Sequence, residues 1–238
     1  MNRIWRRWVL GKTPEDRFRR LERTAAAYRD GRSAFARRGL LQALDQLARE
    51  RTAQGQHAEA LAAVDEAIGV CRTAPVPAML PTMLGRRAWL LASELPATSD
   101  DIRALNEELL SLVTPGLDAA NRHRKNVAAN AYQLQGIVFM YEGDHGAALS
   151  QLITAGQLLA ELSRPLPTAQ QLGQMDAMAG IFRNMSTCAR ALGQLDDAEQ
   201  YATAARECKE STQDVRRSFA ELRAIWSDLG SNRPPDPR

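Results

Sequence analysis

The chain has 238 residues, with 31 Lys and Arg against 28 Asp and Glu, a formal net charge of +3. It holds 39 Ala and 29 Leu but only 8 Val and 7 Ile, which excludes a sheet protein and points to an all-helical one. No run approaches the roughly 18–20 apolar residues of a membrane helix, and the charges resume too early after Arg7 for a secretion signal.

The near-neutral total hides a split. Residues 1–38 carry 12 Lys and Arg and 4 Asp and Glu; the remaining residues carry 19 and 24. A basic arm therefore precedes a mildly acidic body, which argues against nucleic-acid binding by the chain as a whole. In the arm, residues 1–12, a helical wheel puts Ile4, Trp5, Trp8 and Val9 on one arc and Arg3, Arg6 and Arg7 on the other. Trp and Arg together suit protein docking, with a membrane surface and a phosphate backbone as competing readings.

Pro14, Glu15 and Asp16 predict a helix start, and residues 13–32 are expected as an N-terminal capping helix. A repeat then begins. GQHAEALAAVDEA from Gly55, GDHGAALSQLITA from Gly143 and GQLDDAEQYATAA from Gly193 share a Gly, an Ala five residues on (Ala60, Ala148, Ala198) and another seven further (Ala67, Ala155, Ala205). The Gly suits a turn that needs positive φ, and the two Ala share one side of the next helix. Upstream of each turn lies a helical stripe: Leu44, Leu47, Ala48 and Arg51; Tyr132, Gln135, Gly136 and Phe139; Phe182, Met185, Ser186 and Ala189. A degenerate unit fits between the first two, with Ala88, Leu91, Ala92 and Leu95 on its first helix, Pro96 ending it, and Ala104 at the turn-proximal place. Thr98, Ser99 and Asp100 are N-cap candidates for its second helix, running to about Val113. Val215, Phe219, Leu222 and Trp226 predict a C-terminal capping helix over residues 213–230, and the proline-rich residues 231–238 a disordered tail.

On these stripes and turns the sequence resembles the tetratricopeptide repeat (TPR), of an elongated bacterial regulatory or adaptor type. The Leu-Gly pair of the family pattern stands here only as Leu47-Ala48, Gln135-Gly136 and Met185-Ser186, and the repeat's terminal Pro is missing from its place. The resemblance implies a right-handed α-solenoid over residues 33–212, with units near 41–74, 85–115, 129–163 and 179–212, closed by capping helices. It also implies a concave face, lined by the first helices, that takes an extended peptide.

The residues offer little chemistry. VLGKT at Val9–Thr13 ends like a phosphate loop, but Arg6 holds the place of its first Gly. His57 and His145 share one repeat position, expected to pack a ring against the first helix of the unit, and His123 lies in a basic run at a helix start. Glu107 and Glu108 are adjacent and point apart on a helix. Cys71, Cys188 and Cys208 form no metal or disulfide pattern and suit core thiols in the cytoplasm. The chain therefore reads as a non-enzymatic binding module with no cofactor and no metal.

The candidate partner-binding residues are Arg87 (with Arg86 beside it) on the second unit, Asn130, Gln133, Ile137 and Tyr141 on the third, and Arg183, Asn184, Thr187 and Arg190 on the fourth. Asn donates and accepts together, as a peptide bond requires, and Arg offers two parallel donors to a carboxylate. The partner expected is another protein, through a peptide or helix with acidic groups. A peptide-sensing domain that switches its partner, and an enzyme with a site assembled across repeats, are the rival readings.

Overall fold

The computed structural model describes the backbone of residues 14–29, 33–73, 79–115, 117, 121–162 and 168–231, and their side chains except at 14, 15, 17, 168–171 and 218–231. The basic arm (Arg3, Trp5, Arg6, Arg7 and Trp8), the VLGKT stretch and residues 232–238 lie outside the described residues.

All secondary structure among the described residues is helical. It comprises α1 (Pro14–Arg29), α2 (Ala34–Ala53), α3 (His57–Thr73), α4 (Met79–Leu91), a 3₁₀ turn (Ala92–Glu94), α5 (Ser99–Val113), α6 (Arg122–Glu142), α7 (His145–Leu162), α8 (Thr168–Ala191) and α9 (Leu195–Ser231). Local chemistry sets several starts. The Ser33 hydroxyl accepts from the Ala36 amide, the Asn121 carboxamide from Arg124 and the Asp144 carboxylate from Ala147. Each satisfies an amide that the first helical turn leaves unpaired.

The chain divides into two compact units, residues 1–138 and 139–238. In the first, α1 packs on α2, α2 on α3, α3 on α4, and α4 on α5. Leu40, Leu41, Leu44, Leu47 and Ala48 of α2 are buried, with Ala60, Ala63, Val64, Ala67 and Ile68 of α3. Further along this unit, Ala88 and Leu91 of α4 cluster with Ile102 of α5 and Leu134 and Val138 of α6. In the second unit α7 packs on α8 and α8 on α9, with Ala148, Leu152, Ala155, Leu159, Ile181, Cys188 and Ala198 inside.

The three glycine-led turns are built alike. Gly55, Gly143 and Gly193 have φ of 74°, 82° and 77°. In each, the Gly amide donates three residues back (to Thr52, Met140 and Arg190) and the next amide five residues back (to Arg51, Phe139 and Ala189). This is the Schellman ending, and it requires a left-handed residue where the Gly stands. The carbonyls of Gln56, Asp144 and Gln194 then accept from Ala60, Ala148 and Ala198, so one residue closes a helix and opens the next. Those three Ala are almost completely buried.

The second repeat departs from this plan. Its α-helix ends at Leu91, a turn before the expected Leu95, and continues as the 3₁₀ turn. Its second helix is opened by the Thr98 carbonyl accepting from Ile102, so Ile102 takes the place of the buried Ala, and Ala104 is exposed rather than inside. Ala88 rather than Ala92 is the fully buried small residue of α4. Fourteen residues separate Ala88 from Ile102, where twelve separate Ala48 from Ala60. Seven residues past Ile102 comes Leu109, where the other repeats carry Ala. Gly85 makes the room: a Cβ there would stand 3.1 Å from Leu109 Cδ1.

At the C-terminal end, α9 runs unbroken through residue 212, so the segment expected as a separate cap continues the second helix of the fourth repeat. Arg216 Nη2 meets Asp176 Oδ2 of α8 at 2.5 Å, which ties this continuation to the first half of α8.

Candidate functional site

In the first unit, the first helices α2 and α4 meet through charges. Asp45 Oδ1 lies 2.7 Å from Arg86 Nη2, and Asp45 Oδ2 accepts from Arg49 Nε at 3.1 Å. Only about a fifth of the Asp45 and Arg86 side chains is exposed, at 18% and 21%. Arg86 Nε is buried without a hydrogen-bond partner. Burial pushes the Arg86 pKa down, opposed by the Asp45 carboxylate and reinforced by Arg49.

Arg87, the candidate on this helix, faces elsewhere. Its Nε donates to Asp65 Oδ1 of α3 at 2.7 Å, so its charge is already met, and Arg86 is the cation turned toward α2. Adjacent helical residues point about 100° apart, which is why one pairs with α3 and the other with α2.

On α6, Asn130 is half-buried, Gln133 buried and Ile137 half-buried, on one side of the helix by their spacing of three and four. Thr82 of α4 and His123 of α6 hydrogen-bond at 3.1 Å between the hydroxyl and Nε2. Leu91, Leu134 and Val138 share one cluster further along, so α4 and α6 run side by side in the same direction. Trp89 lies seven residues past Thr82, and Asn130 seven past His123, which sets them level. Trp89 is 39% exposed. Sequence reasoning missed it; the available signal was a large ring just outside the buried Leu84–Ala88–Leu91 stripe.

In the second unit, Tyr141 lies in the last turn of α6 and is 60% exposed. On α8, Arg183, Thr187 and Arg190 are exposed at a spacing of four and three, and Asn184 beside them is half-buried. The Thr187 hydroxyl donates to the Arg183 carbonyl at 3.1 Å and is thereby occupied. Among the described residues neither Arg183 nor Arg190 has an ion-pair partner.

The histidines do not form a site. His57 is exposed, contrary to the expected packing of its ring, because it is the first residue of α3 and its side chain stands beyond the turn. His145 is half-buried, and His123 is exposed at the start of α6. Glu108 pairs with Arg72 while Glu107 is exposed, so they do not act together. Among the described residues no group of His, Cys, Asp and Glu is placed to hold a metal ion. No described helix is long and apolar enough to cross a membrane.

Neither a family model nor a curated protein matches the sequence. Solved structures do match the fold. A single-substitution variant of a set of nearly identical TPR-like repeats from Podosopora anserina superposes with a TM-score of 0.56 at 16% identity, over 89% of this chain and 93% of that one. A second structure of those repeats gives 0.54 at 15%, over 88% and 93%. The MamA RS-1 ArsTM double mutant gives 0.50 at 14%, over 84% and 86%. The fold is thus an all-helical, TPR-like repeat.

Proposed function

We propose that the protein is a protein-interaction module, an adaptor or regulatory subunit, whose first helices receive a peptide or helix bearing acidic groups. The observation that carries this reading is the exposed Arg183–Thr187–Arg190 stripe on α8, with Asn184 at its edge and two guanidinium groups without a carboxylate partner among the described residues. Two exposed guanidinium groups two turns apart on one helix face can each meet a carboxylate through two parallel hydrogen bonds, a gain that must exceed the cost of ordering their side chains on binding. Arg at an interface often carries much of the binding energy. Residues 1–12, with Trp5, Trp8, Arg3, Arg6 and Arg7, supply a second contact on the partner.

The test is a pull-down from the native lysate with the full chain, quantified for each captured protein. Arg183→Ala with Asn184→Ala should weaken capture of the partner about tenfold or more while leaving the thermal transition in place. Removal of residues 1–12 should weaken the same partner further. Undiminished capture in the double variant would sink the assignment of α8. Co-sedimentation of the full chain with phosphatidylserine vesicles, lost with residues 1–12, would make the arm a membrane contact instead.

A further inference from the structure

A different surface lies at one end of the second unit. Five residues connect α7 to α8, too few for anything but an antiparallel pair. Gly156 of α7 stands beside Ile181 of α8, where a Cβ on the Gly would lie 3.8 Å from Ile181 Cγ2. Eleven residues before Gly156 comes His145, and eleven after Ile181 comes Leu192, so the Gly143 and Gly193 turns lie at the same end. That end is apolar where a solvated turn would be polar. Tyr141 is 60% exposed, Leu192 44% and Leu195 69%. Leu195 stands at the place that His57 and His145 hold in the other turns.

Acids surround these side chains. Residues 141–147 and 192–199 hold Glu142, Asp144, Asp196, Asp197 and Glu199 and no Lys or Arg. All five acids are exposed. Asp144 caps α7, and Asp196 and Asp197 suit the positive end of α9. Those local roles account for the acids but not for Leu192 and Leu195. Asp196 and Asp197 have no ion-pair partner among the described residues, and Glu199 has only the exposed Arg206 at 3.6 Å.

We propose that this apolar, acidic edge receives residues 1–12 of a second copy of the chain. The match is twofold. The arm carries Arg3, Arg6, Arg7 and Lys12 and no acid, and as a helix it sets Ile4, Trp5, Trp8 and Val9 on one arc. Apolar side chains of the arm would cover Tyr141, Leu192 and Leu195 while its cations meet the surrounding carboxylates. Trp is the side chain most often found at the energetic centre of such a contact. Twelve helical residues span about 18 Å, enough to cross neighbouring turns whose helices lie about 10 Å apart. Thr13 alone links the arm to α1, which leaves it little freedom to fold back and makes another copy the acceptor. The contact joins two unlike surfaces, so it runs head to tail and can continue from copy to copy. The inference rests on the reading of residues 1–12 as a protein contact and gives them a surface to occupy when no partner is bound.

The experiment is sedimentation velocity of the purified full chain. Its average mass should rise with protein concentration and fall again at high salt. Deleting residues 1–12 should leave a monomer at every concentration. Leu195→Ser with Asp196→Asn and Asp197→Asn should weaken self-association about tenfold or more. Circular dichroism checks the fold of this edge variant, and Leu192→Ser, a single exposed change, should act in the same direction. Mixing the arm-deleted chain with the edge variant tests the direction of the contact. One supplies the edge and the other the arm, so a pair should form that adds no third copy. Arg183→Ala with Asn184→Ala should self-associate like the unaltered chain, which separates this inference from the pull-down on α8. A full chain that stays monomeric, self-association that survives loss of the arm or change of the edge, or a mixture that forms no pair each overturns the proposal.

Discussion

The hydroxyl of Ser186 donates to the carbonyl of Ala198 at 2.8 Å, across the contact between α8 and α9. Both residues are buried. Ser186 stands where a small residue lets the second helix come close, and its hydroxyl uses a backbone carbonyl as partner. Ser186→Ala should cost about 0.5–1.5 kcal/mol, the net value of one hydrogen bond. Ser186→Leu should cost more, about 2–3 kcal/mol, because the added atoms must push α9 outward. Urea denaturation of both variants checks the order, and equal losses would remove the packing argument.

The Asp45–Arg86 pair makes an asymmetric prediction. Asp45→Ala leaves the Arg86 guanidinium desolvated, with its Nε already unpartnered and only Arg49 nearby, and should cost about 2 kcal/mol. Arg86→Met keeps the packed stem but leaves Asp45, whose Oδ1 is buried without a hydrogen-bond partner, to Arg49 alone, and should cost about 1 kcal/mol. Thermal denaturation of the two variants measures the difference; a larger loss for Arg86→Met would reverse the reading.

The thiols give a pH dependence. Cys71 and Cys188 are buried, and desolvation of the thiolate raises both above the ordinary 9.0. The folded state therefore holds the neutral thiol. Their contribution to stability is full below pH 9.0 and declines as the pH rises through the raised values, because the unfolded chain ionises first. Replacing both by Ala should flatten the fall of the urea midpoint between about pH 8 and pH 10.5. An unchanged slope would show that other groups set it. Both thiols should also react slowly with a disulfide reagent at neutral pH.

The repeat was legible where one residue type has no substitute. Gly55, Gly143 and Gly193 announced the turns because positive φ selects Gly, and the paired Ala announced the closely packed second helices. The second repeat was not legible in the same terms. Its turn is made by Pro96, Thr98 and a 3₁₀ segment, and the size compensation between Gly85 and Leu109 appears only when the two helices are brought together. A helix ending one turn early likewise decided that Ala88, not Ala92, is fully buried. Arg86 and Arg87 could not be separated, because neighbours on a helix differ only in direction and the register was a turn away. Trp89 lies off the face of this helix that the sequence register predicts.

Gln56, Asp144 and Gln194 each belong to two helices at once, and this leaves those turns no slack. The first helix fixes not only the direction of the second but its rotation about its own axis. One extra residue there would turn the second helix by about 100° and carry Ala60, Ala148 or Ala198 away from the interior. The turn thus works as a phase gauge, passing the angular setting of one helix to the next. The second repeat, with its longer link, has its own setting, and it changed the residue that lands inside to match.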